Sequence, residues 1–432
     1  MASSKSPATW LSYLKVRQLQ RLASLTGTLS SGTKSALIGR LDETLRVEPG
    51  SSSTGLTKAH HISQDASRED LSIDNNKTAS ILSIDMGIRN LAFAHLIIPP
   101  GQAGRTPSGE FKPPVLKAWY RLAVPSFLSN STAGNQVLDL NLGEEMRPKE
   151  KKIAKGHKQK TSDEPEEASV GQKKGKKEEK EKVKESFAPK LYAAHAYTLM
   201  SSLLATYNPT HILIERQRFR SGGGSAVQEW TIRVGVFEGM LYAVLRAIQQ
   251  ERKGEMTNIA VQGVEPQRVM RYWMDDEKVP DSRSKPRTSS KRVSKKITPN
   301  LRKQIKIDRI GTLLSSRTGS NMESTSSSDL GDHLGIQLGD DKHLHEVVKA
   351  YMRKWEKKPK GKKPSTGSSV SPSSKKTSRS TTVDLEDQTL EIDKLDDLAD
   401  CLLQGMTWLE WQNTRQEIAR RGLEAISSKI GN

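Results

Sequence analysis

The stretch Ser80-Ile81-Leu82-Ser83-Ile84-Asp85-Met86-Gly87-Ile88-Arg89-Asn90-Leu91-Ala92-Phe93-Ala94-His95-Leu96-Ile97-Ile98 sets the reading of the whole chain. Apolar residues run up to Asp85 and resume at Leu91 with Gly87 between them, which predicts two antiparallel strands joined by a tight turn. A carboxylate that ends a buried strand leaves its oxygens at the sheet edge, where a cation or a backbone N–H must satisfy them. The ordinary alternative is a turn Asp that caps its own backbone. Acidic partners far downstream weigh against it. Ile212-Leu213-Ile214-Glu215 repeats the pattern of an apolar run ending on a carboxylate, and Asp396, Asp397 and Asp400 lie along a C-terminal helical stretch.

Composition bounds what surrounds this frame. The 432 residues are enough for two to four domains, yet hydrophobic residues make up only 34% and aromatics 5%, so much of the chain is expected to lie outside any packed core. A formal net charge of +19 and a pI near 9.7 favour a polyanionic partner. A single cysteine, Cys401, excludes an internal disulfide framework and a cysteine-based zinc site. No apolar run approaches the ~20 residues needed to span a bilayer, so no membrane partner is expected. Met1 to Leu45 has no acid before Asp42, a composition compatible with a transit peptide.

The same N-terminal residues carry a better-patterned unit. Leu11, Leu14, Leu19, Leu22 and Leu25 supply one helical face, Gly27 a stop, and Leu37, Ile38, Leu41 and Leu45 a second helix. Residues 9–46, with the turn Gly32-Thr33-Lys34 and the closing Arg40-Leu41, resemble the SAP motif of small DNA-binding modules. In such a module Lys34, Arg40 and the helix start near Thr33 would touch phosphates. Residues 47–78 read as a linker, and low-complexity insertions are expected at about 147–185, 281–300, 315–341 and 357–382. Between them lie a third strand at Val115–Val124, a helix at Phe187–Tyr207, the strand ending on Glu215, a long helix from about Ala226 to Gln250 and a strand at Ile259–Val264. A helix at His343–Trp355 and the acidic helix Ile392–Trp411 complete a domain over 79–411. Arg216, Gln217, Arg218 and Arg220 form a basic loop after Glu215, and Lys303 and Lys306 lie on an amphipathic stretch; all six are candidate DNA contacts.

Acids in the first turn of a helix are explained by its dipole, which covers Asp393 and Asp396 but not Asp400, set between Leu398, Ala399, Leu402 and Leu403. Asp396 and Asp397 each lie one turn from Asp400. Carboxylates brought together repel unless divalent cations neutralise them, and an all-oxygen set selects Mg²⁺ or Mn²⁺ over zinc. Two such ions ~4 Å apart can activate water on one side of a phosphodiester and stabilise the leaving oxygen on the other. The element order agrees with an RNase H-like α/β fold, a mixed sheet flanked by helices.

At these residues the chain resembles a known family. Ser83-Ile84-Asp85-Met86-Gly87-Ile88-Arg89-Asn90-Leu91-Ala92, Ile214-Glu215-Arg216-Gln217-Arg218-Phe219-Arg220-Ser221 and Lys394-Leu395-Asp396-Asp397-Leu398-Ala399-Asp400 are similar to the fungal mitochondrial Holliday junction resolvases, relatives of the bacterial RuvC-type enzymes. The resemblance covers roughly 9–46, 80–125, 187–272 and 392–411. It implies a mitochondrial, Mg²⁺-dependent homodimer that places paired nicks in four-way DNA junctions. It also implies Asp85, Glu215 and Asp400 as catalytic acids and metal ligands, with Asp397 or Asp396 as the fourth. The helix bearing Trp230, Arg233, Phe237 and Glu238 would lie at the dimer interface, or else pack in the core. Val234, Phe237, Leu241 and Leu245 supply its apolar content. Two other classes compete: a catalytically silent DNA-binding or nucleoid protein on the same fold, and another RNase H-like nuclease acting on RNA–DNA hybrids. Removing residues 1–46 is expected to weaken DNA affinity and leave cleavage standing.

Overall fold

The computed structural model describes residues 7–46, 77–100, 113–125, 187–217, 228–251, 259–276, 298–315, 335–357, 392 and 394–430. In chain order these form α1 (Pro7–Leu11), α2 (Val16–Leu25), α3 (Lys34–Leu45), β1 (Ala79–Asp85), β2 (Leu91–Ile98), β3 (Val115–Leu122), α4 (Pro189–Tyr207) and β4 (His211–Glu215). There follow α5 (Glu229–Glu251), β5 (Ala260–Val264), α6 (Pro266–Asp276), α7 (Pro299–Ser315), β6 (Gln337–Leu338), α8 (Lys342–Glu356), α9 (Leu395–Arg421) and α10 (Ser427–Ile430).

The strands make one mixed sheet in the order β5-β4-β1-β2-β3-β6. β1, β2 and β3 pair antiparallel, while β4 runs parallel to β1 and β5 parallel to β4. This mixed α/β arrangement is the one expected from the element order. Period-two alternation sorts β1 between two cores: Ala79 and Ile81 face one, Leu82 and Ile84 the other. α6 to α9 cover the first face, and α4 and α5 cover the second. Because both faces are covered, every residue of β1 is buried, Ser80, Ser83 and Asp85 included. Gly87 is required in the β1–β2 turn, where a Cβ would lie 2.9 Å from the Asn90 carbonyl oxygen.

α9 is sewn to the sheet along its inner side. Trp119 Nε1 donates to the Leu398 carbonyl at 2.9 Å, Ser83 Oγ to the Cys401 carbonyl at 2.8 Å, and Gln404 Nε2 to the Ile84 carbonyl at 3.2 Å. At Gly405 the helix approaches so closely that a Cβ would sit 2.9 Å from Leu96 Cδ1.

A third core joins α1–α3 to the far end of α9. Leu11, Leu19, Leu22, Leu37 and Leu41 pack with Ile418, Ala425 and Ile426. Gly27 adopts φ +67° and lies so close to Trp411 that a Cβ would fall 2.4 Å from the indole. Arg415 Nε donates to the Thr26 carbonyl at 2.8 Å and Arg268 Nη1 to the Gly27 carbonyl at 3.2 Å. The N-terminal helices are thus seated on the sheet-covering layer. Residues 47–76 of the expected linker lie outside the described residues, as do 147–185, 281–297, 316–334 and 358–382 of the expected insertions.

Three elements differ from the sequence expectation. β6 forms inside the stretch read as low-complexity 315–341, with Ile336 fully buried; two residues are too few to show a period. α6 was not foreseen as a helix, although Val269, Met270, Tyr272 and Trp273 all reach the core. α9 continues past Trp411 to Arg421. The N-terminal helices cover that end, and its Gln412 and Thr414 are buried.

One buried histidine gives a pH prediction. His95 shares a 2.8 Å hydrogen bond from Nε2 with Ser80 Oγ and packs on Tyr207, ring centroids 4.7 Å apart. Its Nδ1 has no partner among the described residues. Burial, reinforced by Lys117, lowers its pKa to about 4. The unfolded chain therefore binds a proton between about pH 6.5 and 4 that the folded state refuses, so stability is lost as pH falls through that window. Acidification from pH 7 to 5 should cost the wild type about 2 kcal/mol more than the His95→Gln variant, read from denaturant midpoints. Parallel losses in the two proteins would exclude His95 as the group responsible.

Candidate active site

Two carboxylates are placed by strand register alone. Ile84 of β1 is level with Ile214 of β4 in the parallel pairing, so Asp85 and Glu215 end neighbouring strands side by side at the same sheet edge. They hydrogen-bond to each other, and Glu215 Oε2 also accepts from the Met86 backbone N–H at 3.4 Å. Asp85 is buried, 8% exposed.

α9 brings the other acids across the open end of these strands. Asp397 Oδ2 receives Arg121 Nε of β3 at 2.9 Å, and the same guanidinium donates through Nη2 to Asn90 Oδ1 at 2.5 Å. Asp396 pairs with Lys303 of α7 at 2.6 Å, and Asp400 with Lys306 at 2.5 Å. Asp400 Oδ1 is buried with no partner among the described residues.

Proton affinities register the crowding. Burial, then Glu215, Asp400 and Asp397, hold the Asp85 carboxyl well above the ordinary carboxylate range. Burial likewise pushes Asp400 up to about 7, against the pull of Lys306. Asp397 is raised by burial and by Asp396, with Arg121 opposing, whereas Asp396 is lowered overall: burial raises it, but the hydrogen bond and charge of Lys303, a backbone hydrogen bond and Lys394 together outweigh that. The two candidates for a fourth acid thus diverge. Asp397 acts on Asp85, and Asp396 is turned to Lys303.

The donor set suits a divalent cation in charge and chemistry: carboxylate oxygens only, excess negative charge, and a buried oxygen without a partner. Among the described residues no three His, Cys, Asp or Glu side chains already stand as a metal-holding group. Lys303, Lys306 and Arg121 supply positive charge to the α9 acids instead.

Several expected DNA contacts have structural duties. Lys34 Nζ donates to the Ser12 carbonyl at 2.8 Å. Arg40 donates to the carbonyls of Ala36, Leu29 and Ser31 and so braces the loop before α3. Lys303 and Lys306 are likewise engaged with acids. Arg216 crosses Gly263, where a Cβ would lie 2.7 Å from its Cγ, and the Gln217 backbone N–H donates to Glu238 Oε2 at 2.9 Å. Arg218 and Arg220 lie outside the described residues.

Sequence reasoning missed Arg121, Asn90 and Glu238. Arg121 carried a signal, as an arginine inside an otherwise apolar strand end, but its acidic partner is 276 residues away. Glu238, half-buried and raised by burial, lies near Glu215 and Arg216. It faces the end of β4.

The family model described as Mitochondrial resolvase Ydc2 / RNA splicing MRS1 matches residues 81–418. The chain belongs to this family. The match spans the strand of Asp85, that of Glu215 and the whole acidic part of α9, and it is the family to which the sequence motifs pointed. Cruciform cutting endonuclease 1, mitochondrial, of Schizosaccharomyces pombe (strain 972 / ATCC 24843) is 45% identical over 60 residues, 14% of this chain and 23% of that protein. The chain therefore matches about a quarter of that relative's length. The crystal structure of the yeast mitochondrial Holliday junction resolvase, Ydc2, is 18% identical with a TM-score of 0.43, covering 95% of this chain and 98% of that one.

Proposed function

We propose that this protein is a structure-selective endodeoxyribonuclease that makes paired nicks in four-way junctions of mitochondrial DNA by metal-assisted phosphodiester hydrolysis. The convergence of Glu215, Asp397 and Asp400 on the buried Asp85 carboxyl carries the reading. Asp85, Glu215, Asp397 and Asp400 would hold the divalent metal, Mg²⁺ or Mn²⁺, and Asp396 would remain with Lys303. When bound, such ions supply an activated water and a Lewis acid for the leaving oxygen.

The chain's own groups prepare the site. Arg121 fixes Asp397 against the sheet, and the Met86 N–H orients Glu215. Lys303 and Lys306 are the cations closest to the α9 acids and would meet the phosphate backbone there. Burial keeps water from screening the acids, so their charge is available to a cation rather than to solvent.

The substrate is tested directly. Purified protein is incubated with a labelled four-way junction, a matched duplex and an RNA–DNA hybrid, each with Mg²⁺ and with EDTA. Junction cleavage that needs Mg²⁺ supports the reading. Hybrid cleavage alone, or binding of all three without cleavage, would move it to the competing classes. An RNA arm belongs in the panel because the family's description also names RNA splicing.

The active unit we propose is a homodimer, since a near two-fold junction presents equivalent phosphates to two identical sites. Val234, Phe237, Leu241 and Leu245 pack in the core. The opposite side of α5 is the open one: Ile232 and Val236 are 46% and 50% exposed, and Gly239 has clear space around it. Val236→Glu should therefore convert a dimeric mass into a monomeric one by light scattering and change cruciform-plasmid products from linear to nicked circles. A wild-type mass equal to one chain would remove the dimer and leave the nuclease assignment in place. No helix among the described residues is long and apolar enough to cross a membrane.

A further inference from the structure

An aromatic and cationic cluster beside the acids has no part in the chemistry above. Arg89 lies in the β1–β2 turn four residues beyond Asp85, and its guanidinium stands 5.4 Å from the ring centroid of Trp230 in the first turn of α5. Phe187 meets Trp230 edge-on, centroids 5.9 Å apart at 90°. Phe187 in turn stacks on Tyr192 at 5.7 Å and 9°, and Arg233 lies over its ring at 3.5 Å. Arg233 also pairs with Glu229. The indole is thus braced from one side and still 39% exposed.

A large exposed ring held in one orientation is suited to stacking, because little side-chain freedom remains to be lost on contact. Two occupants fit an aromatic surface: a nucleobase or a second copy of this chain. Charge decides between them. Arg233 is neutralised by Glu229, but Arg89 flanks the indole in a chain of net charge +19, so a second copy would bring the same cation to itself, whereas a nucleic acid brings phosphates. Direction agrees. At about 100° per residue, Trp230 lies roughly 120–160° around α5 from Ile232 and Val236.

We propose that Trp230 is a stacking platform for a nucleobase displaced at the branch point, with Arg89 contacting a neighbouring phosphate. The inference rests on the junction-nuclease reading and adds a binding subsite to it. Base stacking ends where strands exchange, so a base there can be moved onto a protein ring at lower cost than one inside a duplex arm. The subsite would favour branched over linear DNA without reading sequence.

The test is photocrosslinking with the full-length protein in EDTA, so that the junction stays uncut. 5-Iodo-deoxyuridine is placed at the branch point or well inside one arm, and the crosslinked peptide is identified by mass spectrometry. The branch-point probe should mark Trp230 and the arm probe should not. Trp230→Ala should weaken junction binding roughly tenfold with duplex binding, melting temperature and subunit mass unchanged. Trp230→Phe should restore most of the loss. Absence of a Trp230 crosslink in wild-type protein that still cleaves junctions would overturn the platform alone. Equal wild-type binding of junction and duplex, without junction cleavage, would overturn both readings. A monomeric Trp230→Ala protein would assign the indole to the subunit contact and overturn the platform.

Discussion

Asp85→Asn should abolish junction cleavage while raising the melting temperature of the metal-free protein. The amide keeps the shape of the side chain but loses the charge through which a cation is held, and the rate should fall by about three decades or more, ~4 kcal/mol in the barrier. Stability should move the other way, because a buried carboxyl crowded by Glu215, Asp400 and Asp397 is replaced by a neutral group. Junction binding should persist, since the cations proposed to meet phosphate are untouched. Single-turnover cleavage, thermal melting and gel-shift affinity on one preparation separate these effects. A variant that melts higher yet nicks at the wild-type rate would remove Asp85 from the catalytic set.

Deleting residues 1–46 should do more than weaken DNA binding. The sequence alone suggested a tethered module whose loss leaves cleavage standing, but the structure seats α1–α3 on the distal end of α9. Their removal bares Trp411, Ile418, Ala425 and Ile426. At about 1.5–3 kcal/mol for each large apolar side chain, the exposed patch costs ~5 kcal/mol. That corresponds to a fall in melting temperature of about 10 °C or more. Cleavage at physiological temperature should fail together with the fold. A truncated protein that melts like the full chain and cleaves junctions would show that the contact contributes little.

The strand-end acids were legible because an apolar run that stops on a carboxylate is a local pattern, visible at Asp85 and again at Glu215. Parallel register then brings the two together with no further information. The choice between Asp396 and Asp397 was not legible, since it depends on which faces Arg121 and which faces Lys303, and both partners come from elements distant in sequence. α5 shows a related limit. Its apolar residues occupy two sides, and periodicity cannot say which side meets the sheet. Arg40 and Lys34 read as surface cations because nothing local announces the carbonyls that accept from them.

The layering of α9 on β1 also sets a timetable for biosynthesis. Ser83 finds its acceptor at Cys401, 318 residues later, and Thr26 receives Arg415 across 389 residues. At roughly 5–20 residues per second of elongation, the hairpin of β1 and β2 waits on the order of 15–60 s before the helix that covers one of its faces has been made. For that interval the Ala79 and Ile81 face of β1 stands bare. The core on that face of β1 closes only once α9 has been made.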